Sequence, residues 1–341
     1  MRERKSVKRH IFTSVTRISD LPDGGFEVAQ VDRPEWQMGD YVVGELIDAS
    51  GYHTIELPNG RMMDVAEGDL VVGAFGSRAA TLEACGDWHE IAGNEFQALT
   101  PAGLFAQLTS MSPFLGRLLS LRYAGHVLRG DAKVTMKSVL EPVAEAELEA
   151  PVVLITGTSM SSGKTMSGRL IVRLLARMGL KVVGAKLTGA ARYRDVLSYA
   201  DAGAARVFDF VDAGLPSTVT DAADFAQSLT RLLSLIAAEK PDVLVAEAGA
   251  SPLEPYNGKT AIEMLGDRVR FNLLCASDPY AVLGVASAFR RQPDVVAGGS
   301  ANTEAGIDLV RRLTGLQAMN LLSKSSHEPL RELLIERLGL A

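Results

Sequence analysis

The chain has 341 residues, enough for two domains with separate apolar cores, and its 47% hydrophobic and 22% charged residues are those of an ordinary soluble globular protein. A formal net charge of -6 argues against a nucleic-acid binder. Two distant cysteines, Cys85 and Cys275, five scattered histidines without zinc spacing, and the lack of an apolar run of about 18 residues predict a reduced, cytoplasmic protein with no membrane association.

Arg2, Arg4, Lys5, Lys8 and Arg9 make the first ten residues basic, as an ordinary frayed terminus is. Residues 1 to about 98 read as β-rich. Gly39-Asp40-Tyr41-Val42-Val43-Gly44 and Gly68-Asp69-Leu70-Val71-Val72-Gly73 each combine a Gly-Asp turn, a short apolar strand and a closing glycine. Pro58-Asn59-Gly60 between them signals a hairpin. The spacing predicts a small barrel or sandwich packed by Trp36 and Trp88, without the aromatic and basic surface that nucleic acids require. Residues 101–123 read as helical from Leu104, Phe105, Leu108, Leu115, Leu118, Leu119 and Leu121, and residues 133–139 as another strand. His126 is expected to be structural, with a place in the cleft as the alternative. Residues 141–151 carry four acids and two prolines, and they mark a junction between an N-terminal domain (1–148) and a second domain (149–341).

From Val152 onward strands alternate with helices. Val152-Val153-Leu154-Ile155 precedes a Gly-rich turn and a helix bearing Leu170, Leu174, Leu175 and Met178 that Gly179 ends. Strands follow at residues 181–186, 243–246, 269–276 and 295–298, with an amphipathic helix on Phe225, Leu229, Leu232, Leu233 and Ile236 and another near residues 305–313. This alternation predicts an α/β fold, a mostly parallel sheet flanked by helices.

The turn Thr156-Gly157-Thr158-Ser159-Met160-Ser161-Ser162-Gly163-Lys164-Thr165 carries the chemistry. A buried strand entering a Gly-rich turn and then Lys-Thr is how backbone amides cradle a polyphosphate, with the positive end of a helix behind them. Gly157, Thr158, Ser161, Ser162 and Gly163 would line the cradle, Lys164 would reach the phosphates, and the Thr165 hydroxyl would ligate Mg²⁺. Five residues separate Gly157 from Gly163, one more than in the common motif, so Thr158 stands where a glycine is expected. Glu247 ends an apolar strand at the edge where ligands of open α/β sheets bind, placing it to hold the metal. Lys186 ends another strand, where it would stabilise a transferring phosphoryl group or grip an anion. Arg192 and Arg194 after it would clamp a carboxylate, and Asp195, Asp201 and Asp209 are unranked second metal ligands.

Thr-Gly-Thr-x-x-x-x-Gly-Lys-Thr, the strand-borne Lys186 and Glu247-Ala248-Gly249-Ala250 together resemble the P-loop NTPases of the dethiobiotin synthetase and cobyrinate-amidating group, over residues 151 to about 322. The resemblance implies ATP and Mg²⁺ as cofactors and phosphorylation of a carboxylate or carbamate. Lys164 and Thr165 would hold phosphate and metal, Glu247 the metal, Lys186 the reacting phosphate and Asn302 the adenine. Alternatively, Ser300-Ala301-Asn302-Thr303 is simply a helix N-cap. Ser159, Met160 and Ser161 stand where dethiobiotin synthetase has its loop acid and the positions after it, and the proline and Ser-Gly spacing after Lys186 are missing. These departures imply a ligase or kinase with a different small carboxylate or amino-acid-like substrate, working as a homodimer. The competing expectation is a nucleotide-hydrolysing switch or metallochaperone.

Overall fold

A computed structural model of the protein describes residues 9–51, 53–249, 251–289 and 292–340. Arg2, Arg4, Lys5 and Lys8 of the basic terminus and Ala250 of the second motif lie outside them. The first part of the chain is β-structure: β1 (His10–Phe12), β2 (Glu27–Ala29), β3 (Tyr41–Asp48), β4 (Thr54–Glu56), β5 (Met62–Asp64), β6 (Leu70–Phe75), β7 (Arg78–Ala79), β8 (Ala84–Asp87), β9 (Glu95–Thr100), β10 (Leu104–Met111), β11 (Ser120–Arg129) and β12 (Ala132–Lys133). The repeated Gly-Asp segments become β3 and β6, paired antiparallel. From β6 the pairing runs through β3, β11, β9 and β10 and returns to β6 by a parallel pair, closing a five-stranded barrel. Pro58-Asn59-Gly60 turns the β4–β5 hairpin. Trp36 packs inside the barrel, its ring stacked on Phe75 at 4.7 Å, and Trp88 packs against the same cluster. His126 is fully buried between the Tyr123 hydroxyl (2.5 Å) and Asp40 (3.2 Å), a structural position.

Residues 101–123 are not helical; they contribute β10 and the start of β11. Phe105 points into the barrel, whereas Leu104 and Ala106 pack outward against Ala190 and Tyr256 of the second part of the chain. A strand buried on both faces loses its polar alternation and imitates a helical apolar pattern. Of residues 133–139, only Lys133 belongs to a strand; Thr135 and Ser138 close a turn instead.

The second part alternates β13 (Val152–Gly157), α1 (Lys164–Arg177), β14 (Val182–Thr188), α2 (Tyr193–Ala202), β15 (Arg206–Asp209), α3 (Ala222–Ala238), β16 (Val243–Ala248), α4 (Gly258–Leu265), β17 (Val269–Cys275), α5 (Pro279–Phe289), β18 (Val295–Ala297), α6 (Glu304–Thr314) and α7 (His327–Leu338). The sheet runs β15-β14-β16-β13-β17-β18, with every pair parallel. It is a parallel α/β sheet with helices on both faces. Alternate residues serve its two faces: Val153 and Ile155 pack under α1 and α7, while Leu154 packs with α3 and α4.

The second of these clusters continues into the barrel, taking in Tyr41, Val43, Val72 and Ala74. Polar contacts lock the same boundary. Glu56, 1% exposed, accepts from the amides of Tyr193 and Arg194 (2.8 Å each) and from the Ser14 hydroxyl (2.5 Å). A carboxylate of the β4–β5 hairpin thereby caps the positive end of α2. Arg17 reaches Asp209 (2.6 Å) and Asp212 (3.0 Å), and the Tyr256 hydroxyl accepts from the Ala79 amide (2.8 Å).

Glu56→Ala leaves three donors without this acceptor, the Ser14 hydroxyl among them fully buried, so urea unfolding is expected to show a loss of about 2–4 kcal/mol, with Glu56→Gln losing less. Because one apolar cluster spans barrel and sheet, circular dichroism and tryptophan fluorescence should report a single shared transition; two separate ones would refute the shared core.

Candidate functional site

β13 lies mid-sheet between β16 and β17, and β14 follows it in sequence but lies beyond β16. This reversal of strand order leaves a crevice at the carboxyl ends of the strands. The turn after β13 curls into it. The Lys164 ammonium folds back onto the Ser159 carbonyl (2.7 Å) and the Ser162 hydroxyl (3.5 Å). Gly157 makes that possible: a Cβ there would lie 2.5 Å from Ser162 Oγ and 2.9 Å from Lys164 Nζ. Gly163 enters α1 at φ +102°, a conformation that favours glycine, and Ser161 takes φ +59°. The amides of Gly163, Lys164, Thr165 and Met166 have no acceptor among the described residues. Burial pulls the Lys164 pKa below the ordinary lysine value, against the opposing charge of Glu247. A curled loop with open amides and a buried ammonium is an anion cradle.

Glu247 faces this loop from the end of β16, beside Ile155 in the register. Its Oε2 accepts from the Thr165 hydroxyl (3.0 Å) and the Tyr199 hydroxyl (2.9 Å). Oxygen donors so close together suit a hard divalent cation. Tyr199 was not singled out by the sequence, yet it positions the carboxylate. Its signal is a pair of glycines inside regular elements: a Cβ at Gly168 of α1 would meet the Tyr199 hydroxyl at 2.3 Å, and one at Gly184 of β14 its ring at 2.8 Å.

Lys186 is buried one strand away, opposite Glu247 in the β14–β16 register. Its ammonium contacts Asp195 Oδ2 (2.6 Å) and the Ala190 carbonyl (3.3 Å). Burial alone would lower its pKa, but the charges of Asp195 and Glu247 more than offset this and raise it. Lys186 is thus a fixed cation at neutral pH and no proton acceptor. Of the three acids considered as further metal ligands, only Asp195 joins the site. Asp209 binds Arg17 and the Val211 amide, and Asp201 is exposed on α2. Arg192 lines the crevice 4.0 Å from Asp195; Arg194 gives its amide to Glu56 instead.

Three expected positions differ in their surroundings. The Thr158 hydroxyl accepts from the Ser277 amide (3.1 Å), tying the loop to the end of β17. Ser161 donates to Glu83 of the barrel (3.0 Å). Asn302 is exposed, its carbonyl accepting from Asn320 (3.1 Å), and the cap of α6 is Thr303, which accepts from the Gly306 amide (3.1 Å). The cap expected within Ser300-Ala301-Asn302-Thr303 is therefore present, at Thr303.

The crevice opens into a cavity of about 340 Å³ between sheet and barrel. Ser161, Lys164, Thr165, Lys186 and Glu247 line one side. Arg78, Glu83, Leu99, Thr100 and Leu118 of the barrel line the other, and sequence periodicity gave no sign of them because the barrel's placement brings them there.

Burial pushes the Cys275 thiol, at the foot of the loop, up to about 11, against the opposing hydrogen bond to Ser167. At pH 8 it stays protonated and enclosed, since the thiolate forms only as pH rises through that value. A disulfide reagent at pH 8 is expected to titrate Cys85 in the folded protein and Cys275 only after unfolding; rapid labelling of Cys275 would contradict this placement of β17.

No protein-family model matches the chain, and no curated protein matches it. Among solved structures it is similar to the hydrogenase maturation factor HypB from Archaeoglobus fulgidus, with 17% identity over 55% of this chain and 90% of that one and a TM-score of 0.37. It is also similar to a DUF1611 family protein from Anabaena variabilis, with 15% identity over 59% and 62% of the two chains and a TM-score of 0.38. A third is chloroplast FtsY from Physcomitrella patens, with 14% identity, 52% of this chain and a TM-score of 0.35; the match spans 59% of the FtsY chain.

Proposed function

We propose that the protein is a Mg²⁺- and ATP-dependent phosphoryl-transfer enzyme, a ligase or kinase, that activates a carboxylate-type small molecule. The observation that carries this reading is the shared wall: one cavity is bounded by the phosphate-cradle residues Lys164 and Thr165, the strand-end residues Lys186 and Glu247, and the barrel. The phosphate end of a nucleotide and a small second molecule would meet there.

The residues present suit the nucleotide and its metal. The open amides of residues 163–166 and the Lys164 ammonium would neutralise phosphate oxygens, and the paired oxygens of Thr165 and Glu247 would hold Mg²⁺. When bound, the nucleotide supplies the transferable phosphoryl group. Lys186 contributes fixed positive charge on the far wall, held in place by Asp195. Tyr199 orients Glu247 through its hydroxyl. Asn302, exposed beyond the turn that Gly298 packs against Ser162, is assigned to the base side on the resemblance alone.

A second reading, a nucleotide-hydrolysing switch, draws on the Ser161–Glu83 contact, which couples the loop to the barrel. ADP release measured with Mg²⁺-ATP across a panel of carboxylic and amino acids separates the two. One acid should stimulate turnover, and Lys164→Ala should abolish it and weaken nucleotide binding at least about tenfold. Glu247→Gln should raise the Mg²⁺ requirement. Slow hydrolysis indifferent to every acid would favour the switch instead.

A further inference from the structure

We propose that Arg78 and Thr100 form the carboxylate-binding corner of an acceptor subsite for a small monocarboxylic acid with an apolar body. Both residues line the interdomain cavity, and both carry a buried polar atom, Arg78 Nε and Thr100 Oγ1, that has no hydrogen-bond partner among the described residues. Buried polar atoms are rarely left unpaired, so two in one cavity wall point to a ligand that satisfies them. They are neighbours through the chain: Arg78 Nη1 donates to the Leu99 carbonyl (2.9 Å), and Thr100 follows.

The Arg78 side chain is 11% exposed and fixed in place, with Nη2 on Glu83 Oε2 (2.5 Å). These two bonds use two of the five N–H groups of a guanidinium, leaving enough for a planar, bidentate acceptor. Glu83 itself is anchored by the Ser161 hydroxyl of the phosphate loop (3.0 Å). It already balances part of the arginine charge, so the corner suits a monoanion and disfavours a dianion such as a phosphate ester. The wall around the corner is apolar, built from Leu99, Leu115, Leu118 and Met160. That lining favours a hydrocarbon body over a sugar or a polyacid. The subsite deepens the reading above and rests on it only for the fate of the bound acid.

The test is calorimetric titration of the full chain with hexanoate and 1-hexanol, and separately with Mg²⁺ and a β,γ-methylene ATP analogue. Hexanoate is expected to bind, and the alcohol at least about tenfold more weakly, the loss expected for hydrogen bonds to a charged group. Thr100→Val should lose about tenfold in hexanoate affinity while keeping or raising the Tm, since it removes an unpaired buried hydroxyl. Arg78→Lys, which keeps the charge but not the fork, should lose at least as much. Thr100→Val should leave binding of the nucleotide analogue unchanged. Equal binding of hexanoate and hexanol, no hexanoate binding, or unchanged hexanoate affinity in both variants would each overturn the subsite. Failure to bind the analogue while hexanoate still binds would defeat the nucleotide reading and leave the acid corner standing.

Discussion

A buried ammonium needs anions or dipoles around it, and the geometry of this molecule is organised by that need at Lys164. Burial disfavours its charged form, and in the structure it rests on a loop carbonyl and a serine hydroxyl. The curl that supplies those contacts is possible only because Gly157 has no side chain to fill it. The same curl leaves the amides at the start of α1 directed away from internal acceptors. Positive charge and open donors collect at one point, and the carboxylate of Glu247 stands beside it.

The barrel is the other half of that arrangement. It shares a continuous apolar cluster with one face of the sheet, so its position is set by hydrophobic burial over a broad area. Glu56 fixes the orientation by capping α2, the helix whose first turn carries Asp195 and whose last turns carry Tyr199. Lys186 and Glu247 each take a partner from that helix, so the cap made by a distant hairpin bears on both. On the cavity side, Glu83 links Arg78 to the phosphate loop, and Tyr256 and Glu254 answer β7 and the turn after it.

Much of the sheet was legible in the sequence because its strands are short apolar runs separated by amphipathic helices. The cradle was legible because its backbone conformation demands glycine at fixed positions followed by Lys-Thr. The misread stretch at residues 101–123 failed for a definite reason. β10 buries Phe105 on one face and Leu104 and Ala106 on the other, so the alternation that marks a strand is missing. The helix cap expected within Ser300-Ala301-Asn302-Thr303 is made by the Thr303 hydroxyl.

By itself the sequence determined the local arrangement: a Gly-rich turn running into Lys-Thr, an acid and a lysine at strand ends, and a β-rich segment ahead of them. Such features depend on residues within a few positions of one another, where conformational preference and periodicity operate. Only the tertiary structure decided that Asp195, not Asp201 or Asp209, meets Lys186, that Tyr199 steadies Glu247, and that Arg78 and Thr100 face the cradle from the barrel. Those pairings join different elements: Lys186 and Asp195 lie 9 positions apart, Tyr199 and Glu247 48, and the cradle and the residues facing it more than 50. They are fixed by which apolar faces pack together and by where glycines allow close approach, and neither leaves a period in the chain.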